Sequence, residues 1–226
     1  TRAFYRVSAV WLGLFFYLLL ATLIYHVLLF PVFGLSALTL AISGKILLSL
    51  AIGVTLYGTI HATDIRVTRI TVPLPHLPEI WKSRRAVWAS DFHLGQVRGS
   101  SFARLVMKSI QKGNPDIVFI GGDLYDGVKV DANTIIQPLK ELRAPLGVYF
   151  ITGNHEEFSV KATESFLTAV RAIGFKTLMN EKTLVDGVQI VGVDYKSTAH
   201  RSKYKKILEK ISVDPALPSI LLRHVP

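Results

Sequence analysis

The distribution of apolar and polar residues divides the chain into two parts. The first part holds two long apolar stretches, separated at Pro31 and Gly34. A helix needs about 20 predominantly apolar residues to cross the hydrocarbon core of a membrane. We therefore predict two transmembrane helices, over about 9–30 and 35–60, in a membrane region that covers residues 1–60. A cleaved signal peptide and a buried helical hairpin of a soluble protein are the alternatives.

The remainder of the chain alternates between short apolar runs and polar segments. Residues 61–84 are predicted to form a connector and a first strand, because Ile65, Val67, Ile70 and Val72 roughly alternate before three prolines. From residue 85 the pattern repeats as strand, polar loop and helix. The predicted strands are 86–90, 117–120, 147–151, 176–178, 182–185, 189–193 and 219–222. The predicted helices begin near Ser100, Asp131, Val160 and Lys205, and the sum is an α/β fold with a mixed sheet layer in the second half.

Charge follows the same division. The first 60 residues contain three basic residues and no acidic one, although the whole chain has 16 acidic residues and a formal net charge of +10. Basic residues lie before the first predicted span, at Arg2 and Arg6, and again after the second. This bias predicts a multi-pass protein of the inner or plasma membrane whose catalytic domain is cytoplasmic. Because the chain begins with Thr, we expect it to be a fragment at this end, and further upstream spans stay open.

Three polar blocks follow apolar, strand-like runs. Asp91 and His93 come after the first run, Asp123 after the second, and Asn154 and His155 after the third. Open α/β folds place their ligands at the carboxyl ends of the strands, so the pattern predicts a metal site there. Oxygen ligands combined with imidazole suit Mn, Fe or Zn, and two such ions can drive phosphoryl displacement by a bound hydroxide. The chain has no cysteine, which excludes thiolate ligands and disulfides.

With these blocks the chain resembles the calcineurin-like metallophosphoesterases over about residues 65–226. The matching segments are Asp91-Phe92-His93, Gly122-Asp123-Leu124-Tyr125-Asp126, Gly153-Asn154-His155-Glu156 and Leu221-Leu222-Arg223-His224-Val225-Pro226. The apolar front end makes it similar to the transmembrane branch that includes YkuE- and YaeI-type proteins. The fold implied is a β-sandwich flanked by helices, preceded by transmembrane helices. The metallophosphoesterase domain would then cover residues 85–226.

The resemblance also implies a role for each residue. Asp91 and His93 would bind the first divalent metal ion, Asp123 would bridge both ions, and Asn154 and His224 would bind the second. His155 would not be a ligand but would act on the substrate phosphate as a general acid or transition-state stabiliser. The family pattern ends with a Gly-His-x-His block that this sequence lacks, so we expect the domain to be truncated at its C-terminal end.

These observations lead to three functional hypotheses. The first is a membrane-anchored phosphohydrolase that cleaves a phosphodiester or pyrophosphate, with UDP-2,3-diacylglucosamine of lipid A synthesis as the most specific substrate. The second is a tethered protein or nucleotide phosphatase, and the third is a non-catalytic membrane scaffold with a decayed site. The expected partners are the lipid bilayer and a small or lipid-linked phosphate substrate. Nucleic acid is not expected, because the charge is dispersed and no recognition motif appears.

Several polar residues near these blocks have more than one interpretation. Asp126 is either a turn residue or part of the site, and Asp194 is either a turn residue or a residue that approaches the site. Glu156 is expected to cap a segment or to hydrogen-bond a ligand histidine. The basic cluster of Arg201, Lys203, Lys205 and Lys206 is either a solvated face or a surface for anionic lipid or phosphate.

Overall fold

The computed structural model describes residues 2–29, 34–126, 131–157, 160–198 and 201–225. The chain forms two compact units, residues 1–66 and residues 67–226.

The first unit contains two long helices. Helix α1 covers Arg2–Ile24 and continues as a π-helical segment, Tyr25–Leu29, and helix α2 covers Ala37–His61. Ser36 caps α2, because its hydroxyl accepts a hydrogen bond from the N–H of Thr39 at 3.1 Å. Both helices are long and apolar enough to cross a membrane.

The first helix starts earlier than its apolar stretch. We predicted a span from about residue 9, but the helix begins at Arg2. Arginine is a good helix former, so the hydrogen-bonded backbone extends through Arg6 beyond the uncharged segment. The predicted end of this span, Phe30, lies outside the described residues.

The connector differs from the prediction. Residues 64–74 have no strand assignment, and a single 3-10 turn, Glu79–Trp81, is the regular element between α2 and the first strand. The predicted first strand is therefore wrong. Val67 and Ile70 are 69% and 79% exposed. A strand needs a partner for its N–H and C=O groups, and none lies beside this segment among the described residues.

The second unit alternates strands and helices as predicted. Its helices are α3 (Ser100–Lys112), α4 (Ala132–Ile136, followed by a 3-10 turn, Gln137–Glu141), α5 (Val160–Ala172), α6 (Tyr195–Thr198) and α7 (Arg201–Ile211). Its strands are β1 (Ala86–Ala89), β2 (Ile117–Ile120), β3 (Val148–Phe150), β4 (Lys176–Thr177), β5 (Glu181–Val185), β6 (Val188–Gly192) and β7 (Ser219–Leu222).

These strands form two sheets. The first has the order β1-β2-β3-β4 and is parallel throughout. The second has the order β5-β6-β7, with β5 antiparallel and β7 parallel to β6. The β5–β6 hairpin turns at Asp186 and Gly187, whose φ values of 45° and 84° fit the predicted tight turn.

One hydrophobic core cluster lies between the two sheets. Phe119 and Tyr149 from the first sheet share one buried cluster with Val188, Ile190 and Leu222 from the second. Two sheets joined by such a core, with helices attached, agree with the sandwich architecture expected from the sequence. The parallel order of the first sheet brings the carboxyl ends of β1, β2 and β3 to one edge.

Helix α3 packs through a slightly different face from the one predicted. Its buried residues are Ala103, Val106, Met107 and Ile110, whereas Leu105 is 40% exposed. The predicted buried face consisted of positions 102, 105, 106 and 110. This face and the observed one both have helical spacing, and they differ by a rotation about the helix axis. Asp131 caps α4 as predicted, since its carboxylate accepts the N–H groups of Asn133 and Thr134.

Candidate metal centre

The loops after β1 and β2 remain paired beyond the ends of the strands. The N–H of Asp91 donates to the carbonyl oxygen of Gly122 at 3.1 Å, and the N–H of His93 donates to that of Asp123 at 2.9 Å. These hydrogen bonds fix the two polar blocks against each other. Their positions on the sheet edge follow directly from the parallel register of β1 with β2.

Three residues of these loops have left-handed backbone conformations. The φ angles are +59° for Asp91, +48° for His93 and +50° for Asp123. Such angles are unfavourable for residues with a side chain, and they concentrate at functional sites. Here they turn the chain sharply, so that residues separated by one position in sequence can face the same space.

Two glycines allow the second and third blocks to approach closely. A Cβ atom at Gly122 would lie 2.5 Å from the backbone nitrogen of Gly153, and one at Gly153 would lie 2.2 Å from Oδ1 of Asp123. Gly122 also has a φ of +89°. No side chain fits at either position, which explains the glycine before each functional residue.

Asp123 lies at the centre of the site. Its Oδ2 is 3.6 Å from Nε2 of His93 and 3.5 Å from Nε2 of His224, and only 5% of its side chain is exposed. Its other oxygen, Oδ1, accepts the N–H of His155 at 2.9 Å. A buried carboxylate with two imidazole nitrogens on one oxygen is suited to positive charge between them.

The imidazole of His224 has a defined orientation. Its Nδ1 is 2.7 Å from the carbonyl oxygen of Gly121, which can only accept, so Nδ1 carries a proton. Its Nε2 lies 3.2 Å from Oδ1 of Asn154. In the neutral tautomer, Nε2 therefore presents a lone pair toward the oxygens of Asn154 and Asp123. The lone pairs of Nε2 and of these two oxygens repel one another, and a cation bound by all three atoms would remove that repulsion.

Asp126 contacts two histidines of the site. Its Oδ1 is 3.1 Å from Nδ1 of His93 and 3.3 Å from Nδ1 of His155. The two imidazole rings are nearly perpendicular, with centroids 4.5 Å apart. These contacts favour the interpretation of Asp126 as part of the site over that of a turn residue. A motif position three residues after Asp123 was the available signal, but only the folded loops show which atoms it contacts.

Glu156 holds the second and third polar blocks together. Its carboxylate accepts N–H groups from Asp123 at 2.9 Å, Tyr125 at 2.9 Å and Gly153 at 2.7 Å. We expected it to cap a segment or to bond a ligand histidine, and its hydrogen-bond donors are instead backbone N–H groups of the second and third blocks. Burial raises the pKa of Glu156 to about 7, while these N–H donors act in the opposite direction.

Asp194 serves a turn. One oxygen accepts from the side chain of Asn180 at 2.7 Å, and the other accepts the N–H of Ser197 at 2.7 Å inside α6. The next residue, Tyr195, lies nearer the centre, with its ring 6.1 Å from that of His224 and nearly perpendicular to it. Sequence reasoning did not single out Tyr195, because a lone tyrosine after a strand carries no motif.

The donor atoms of the site fit divalent metal ions. Ligands about 2.0–2.2 Å from one ion lie about 3–4 Å from each other. Besides the distances around Asp123, Oδ1 of Asp91 is 3.9 Å from Nε2 of His93. Two groups, His93 with Asp123 and His155, and Asp91 with Asp123 and His224, each place their ligand atoms within 4.8 Å of one another. Both groups share Asp123, as the resemblance implies. They combine His93 with His155 and Asp91 with His224. The resemblance instead implies that Asp91 and His93 share one ion.

Comparison with known proteins agrees with this geometry. The chain is 32% identical over 176 residues to a transmembrane protein with metallophosphoesterase domain from Bos taurus, covering 71% of this chain and 39% of that protein. The similarly named protein of Danio rerio is 29% identical over 184 residues, covering 75% and 41%. The uncharacterized metallophosphoesterase YkuE of Bacillus subtilis is 28% identical over 172 residues, covering 72% and 58%.

This chain thus spans about two fifths of the length of the bovine and zebrafish relatives. A family model for calcineurin-like phosphoesterases matches residues 84–226, the segment that carries all four polar blocks. The chain belongs to the calcineurin-like phosphoesterase family.

Proposed function

We propose that the protein is a membrane-anchored, metal-dependent phosphohydrolase. The observation that carries this proposal is the position of Asp123 Oδ2, 3.6 Å from one candidate histidine ligand and 3.5 Å from another. One carboxylate oxygen between two imidazoles is the arrangement needed to bridge two ions. The family is one whose members use a dinuclear metal centre.

In this proposal Asp91, His93 and Asp123 would hold one divalent ion, and Asp123, Asn154 and His224 would hold the other. When bound, such a pair of ions neutralises the phosphoryl oxygens and lowers the pKa of a water molecule to near neutrality. The buried position of Asp123 and His224, with side chains 5% and 6% exposed, keeps the ligand atoms away from competing water.

His155 supplies the proton in this mechanism. Its backbone N–H is anchored on Asp123, and its Nδ1 faces the carboxylate of Asp126. The carboxylate of Asp126 orients the ring through Nδ1, and we assign the proton transfer to Nε2. As water attacks phosphorus and the bond from phosphorus to the leaving oxygen breaks, that oxygen takes the proton from His155.

A His155→Ala variant separates this role from metal binding. With Mn²⁺ and an aryl phosphodiester, the variant is expected to lose turnover while its metal content stays close to that of the wild type. The geometric grouping of His155 with His93 and Asp123 makes this experiment informative. Loss of metal from His155→Ala would show that His155 is a ligand, and hydrolysis by the variant would show that it is not the proton donor.

For the substrate we propose a lipid-linked phosphodiester or pyrophosphate, with UDP-2,3-diacylglucosamine as the specific candidate. Support comes from the two helices of sufficient length and hydropathy to cross a membrane, which would tether the domain to a bilayer. A cytoplasmic domain would meet a substrate that is made inside the cell. Full-length protein with Mn²⁺ should cleave this substrate.

A substrate panel tests this assignment. Cleavage of simple aryl phosphodiesters without cleavage of UDP-2,3-diacylglucosamine would contradict the lipid assignment and leave the hydrolase in place. Preference for phosphopeptides or nucleotides would favour a tethered phosphatase. Absence of turnover on every phosphoester would favour the non-catalytic scaffold.

A further inference from the structure

The loop between β1 and α3 is fixed against the candidate metal centre. The N–H of Gly95 donates to the carbonyl oxygen of Arg98 at 2.8 Å, and Leu94 forms isolated bridges with both Arg98 and Tyr125. A Cβ atom at Gly95 would lie 2.8 Å from Cβ of Asp126. The backbone of Arg98 is therefore held beside the loop that orients the two histidines.

The side chain of Arg98 reaches the first polar block. Its Nη1 donates to the carbonyl oxygen of Asp91 at 3.4 Å, and its guanidinium carbon lies 4.9 Å from the ring centroid of Phe102. Stacking on an aromatic ring holds the guanidinium plane while leaving its edges available. The side chain is neither buried nor fully exposed.

Most of the donors of Arg98 have no hydrogen-bond partner among the described residues. The bond to Asp91 uses one of the five N–H groups of the guanidinium. No carboxylate in the described ranges forms an ion pair with Arg98. By contrast, Arg84 pairs with Asp116 at 2.7 Å.

Arg98 is also the basic side chain that contacts the candidate centre among the described residues. Within the part of the chain that the structure describes, no other Lys or Arg side chain hydrogen-bonds to a residue of the candidate centre. Arg223 is adjacent to His224 in sequence, but its guanidinium lies 4.7 Å from the ring centroid of Tyr204 on α7. Arg98 thus provides a fixed positive charge next to Asp91.

We infer that Arg98 binds a non-bridging oxygen of the substrate's phosphoryl group. The inference rests on the proposed function, in that it assumes a phosphoester at the candidate centre. The carboxylates of Asp91, Asp123 and Asp126 would offset most of the positive charge of two divalent ions, which leaves little net attraction for an anionic substrate. A guanidinium with coplanar donors adds positive charge beside the centre and forms paired hydrogen bonds to phosphate oxygens.

Binding of inorganic phosphate tests the inference independently of turnover. Calorimetric titrations use the full-length protein with excess Mn²⁺, so that variants are compared at equal metal occupancy. Arg98→Gln removes the charge but keeps an N–H donor for the carbonyl oxygen of Asp91. It should weaken phosphate binding by roughly 10- to 100-fold, the range for hydrogen bonds to charged groups. Arg98→Lys keeps the charge without the planar fork and should give an intermediate value.

The matched control is Arg104→Gln. Arg104 is exposed on α3, close to Arg98 in sequence, and its replacement removes the same charge. Phosphate affinity of Arg104→Gln should equal that of the wild type. Equal affinities of Arg98→Gln and wild type, or equal losses in Arg98→Gln and Arg104→Gln, would overturn the inference.

The same titrations distinguish the inference from the proposed function. If the wild type binds phosphate through Arg98 but hydrolyses no phosphoester, the proposed function fails and the inference stands. If the wild type hydrolyses a phosphoester and Arg98→Gln has unchanged phosphate affinity and KM, the inference fails and the proposed function stands.

Discussion

Oδ1 of Asp126 lies 3.1 Å from Nδ1 of His93. The same oxygen lies 3.3 Å from Nδ1 of His155. A carboxylate on the far nitrogen of a ligand histidine fixes its ring and tautomer and raises its basicity. Asp126 therefore connects the residue proposed to bind metal with the residue proposed to donate a proton.

Replacing Asp126 by Asn should weaken metal binding and slow turnover together. Such partners of ligand histidines are typically worth about 10- to 100-fold in metal affinity or activity. Calorimetric titration with Mn²⁺ measures the first effect, and hydrolysis of an aryl phosphodiester at saturating Mn²⁺ measures the second. Normal metal affinity and normal kcat in Asp126→Asn would show that this carboxylate is only part of a turn.

Glu156→Gln should destabilise the domain. The carboxylate accepts three backbone N–H groups on two oxygens. The amide has one oxygen and turns an NH₂ group toward at least one of these donors. Leaving a buried donor unsatisfied costs about 1–3 kcal/mol, so thermal unfolding should occur several degrees lower. Glu164→Gln, an exposed change on α5, is the control and should leave the melting temperature unchanged.

Asp116 should contribute stability that depends on pH. Its carboxylate accepts the N–H of Arg85 at 2.8 Å and a guanidinium N–H of Arg84 at 2.7 Å, and these bonds lower the pKa of Asp116 below its usual value of 3.8. Because the folded-state pKa is depressed, the stabilisation is complete above the unfolded-state pKa. It is lost as the pH falls through the folded-state value.

The Asp116→Asn variant tests this dependence. At pH 7 it should unfold about 1 kcal/mol more easily than the wild type. The difference should shrink as the pH falls below about 4. Thermal unfolding of both proteins across pH 3–7 measures it, and a difference that stays constant with pH would rule out the charged form of Asp116 as the cause.

The orientation of the membrane region can be tested with single cysteines, because the chain has none of its own. Ser83→Cys lies in the exposed connector, and Leu35→Cys lies just before α2. A membrane-impermeant maleimide added to intact cells should label Leu35→Cys, and it should label Ser83→Cys only after permeabilisation. Labelling of Ser83→Cys in intact cells would place the domain on the other side.

The sequence predicted most of the elements that carry the site. Polar residues directly after apolar runs mark the ends of buried strands, and this signal is local to the chain. It located Asp91, Asp123 and Asn154 at the edge of a parallel sheet. The fourth block was placed by resemblance, and the structure brings His224 to 3.2 Å from Asn154, across 70 residues of sequence.

Other features depend on contacts that a sequence does not encode locally. The segment around Val67 and Ile70 alternates like a strand, but strands form only where a neighbouring strand supplies partners. The buried face of α3 includes Met107 rather than Leu105, because the choice depends on the surface against which the helix packs. The atoms that Asp126 and Glu156 contact depend on how three separate turns meet.

The number of metal ions held through Asp123 tests the central claim most directly. Titration of the full-length protein with Mn²⁺ should give two ions per chain for the wild type. Asp123→Asn, which replaces an oxygen shared by His93 and His224, should weaken both sites, whereas Asp194→Asn, at a turn, should retain both. A single ion in the wild type, or two ions bound normally by Asp123→Asn, would contradict a centre bridged by Asp123.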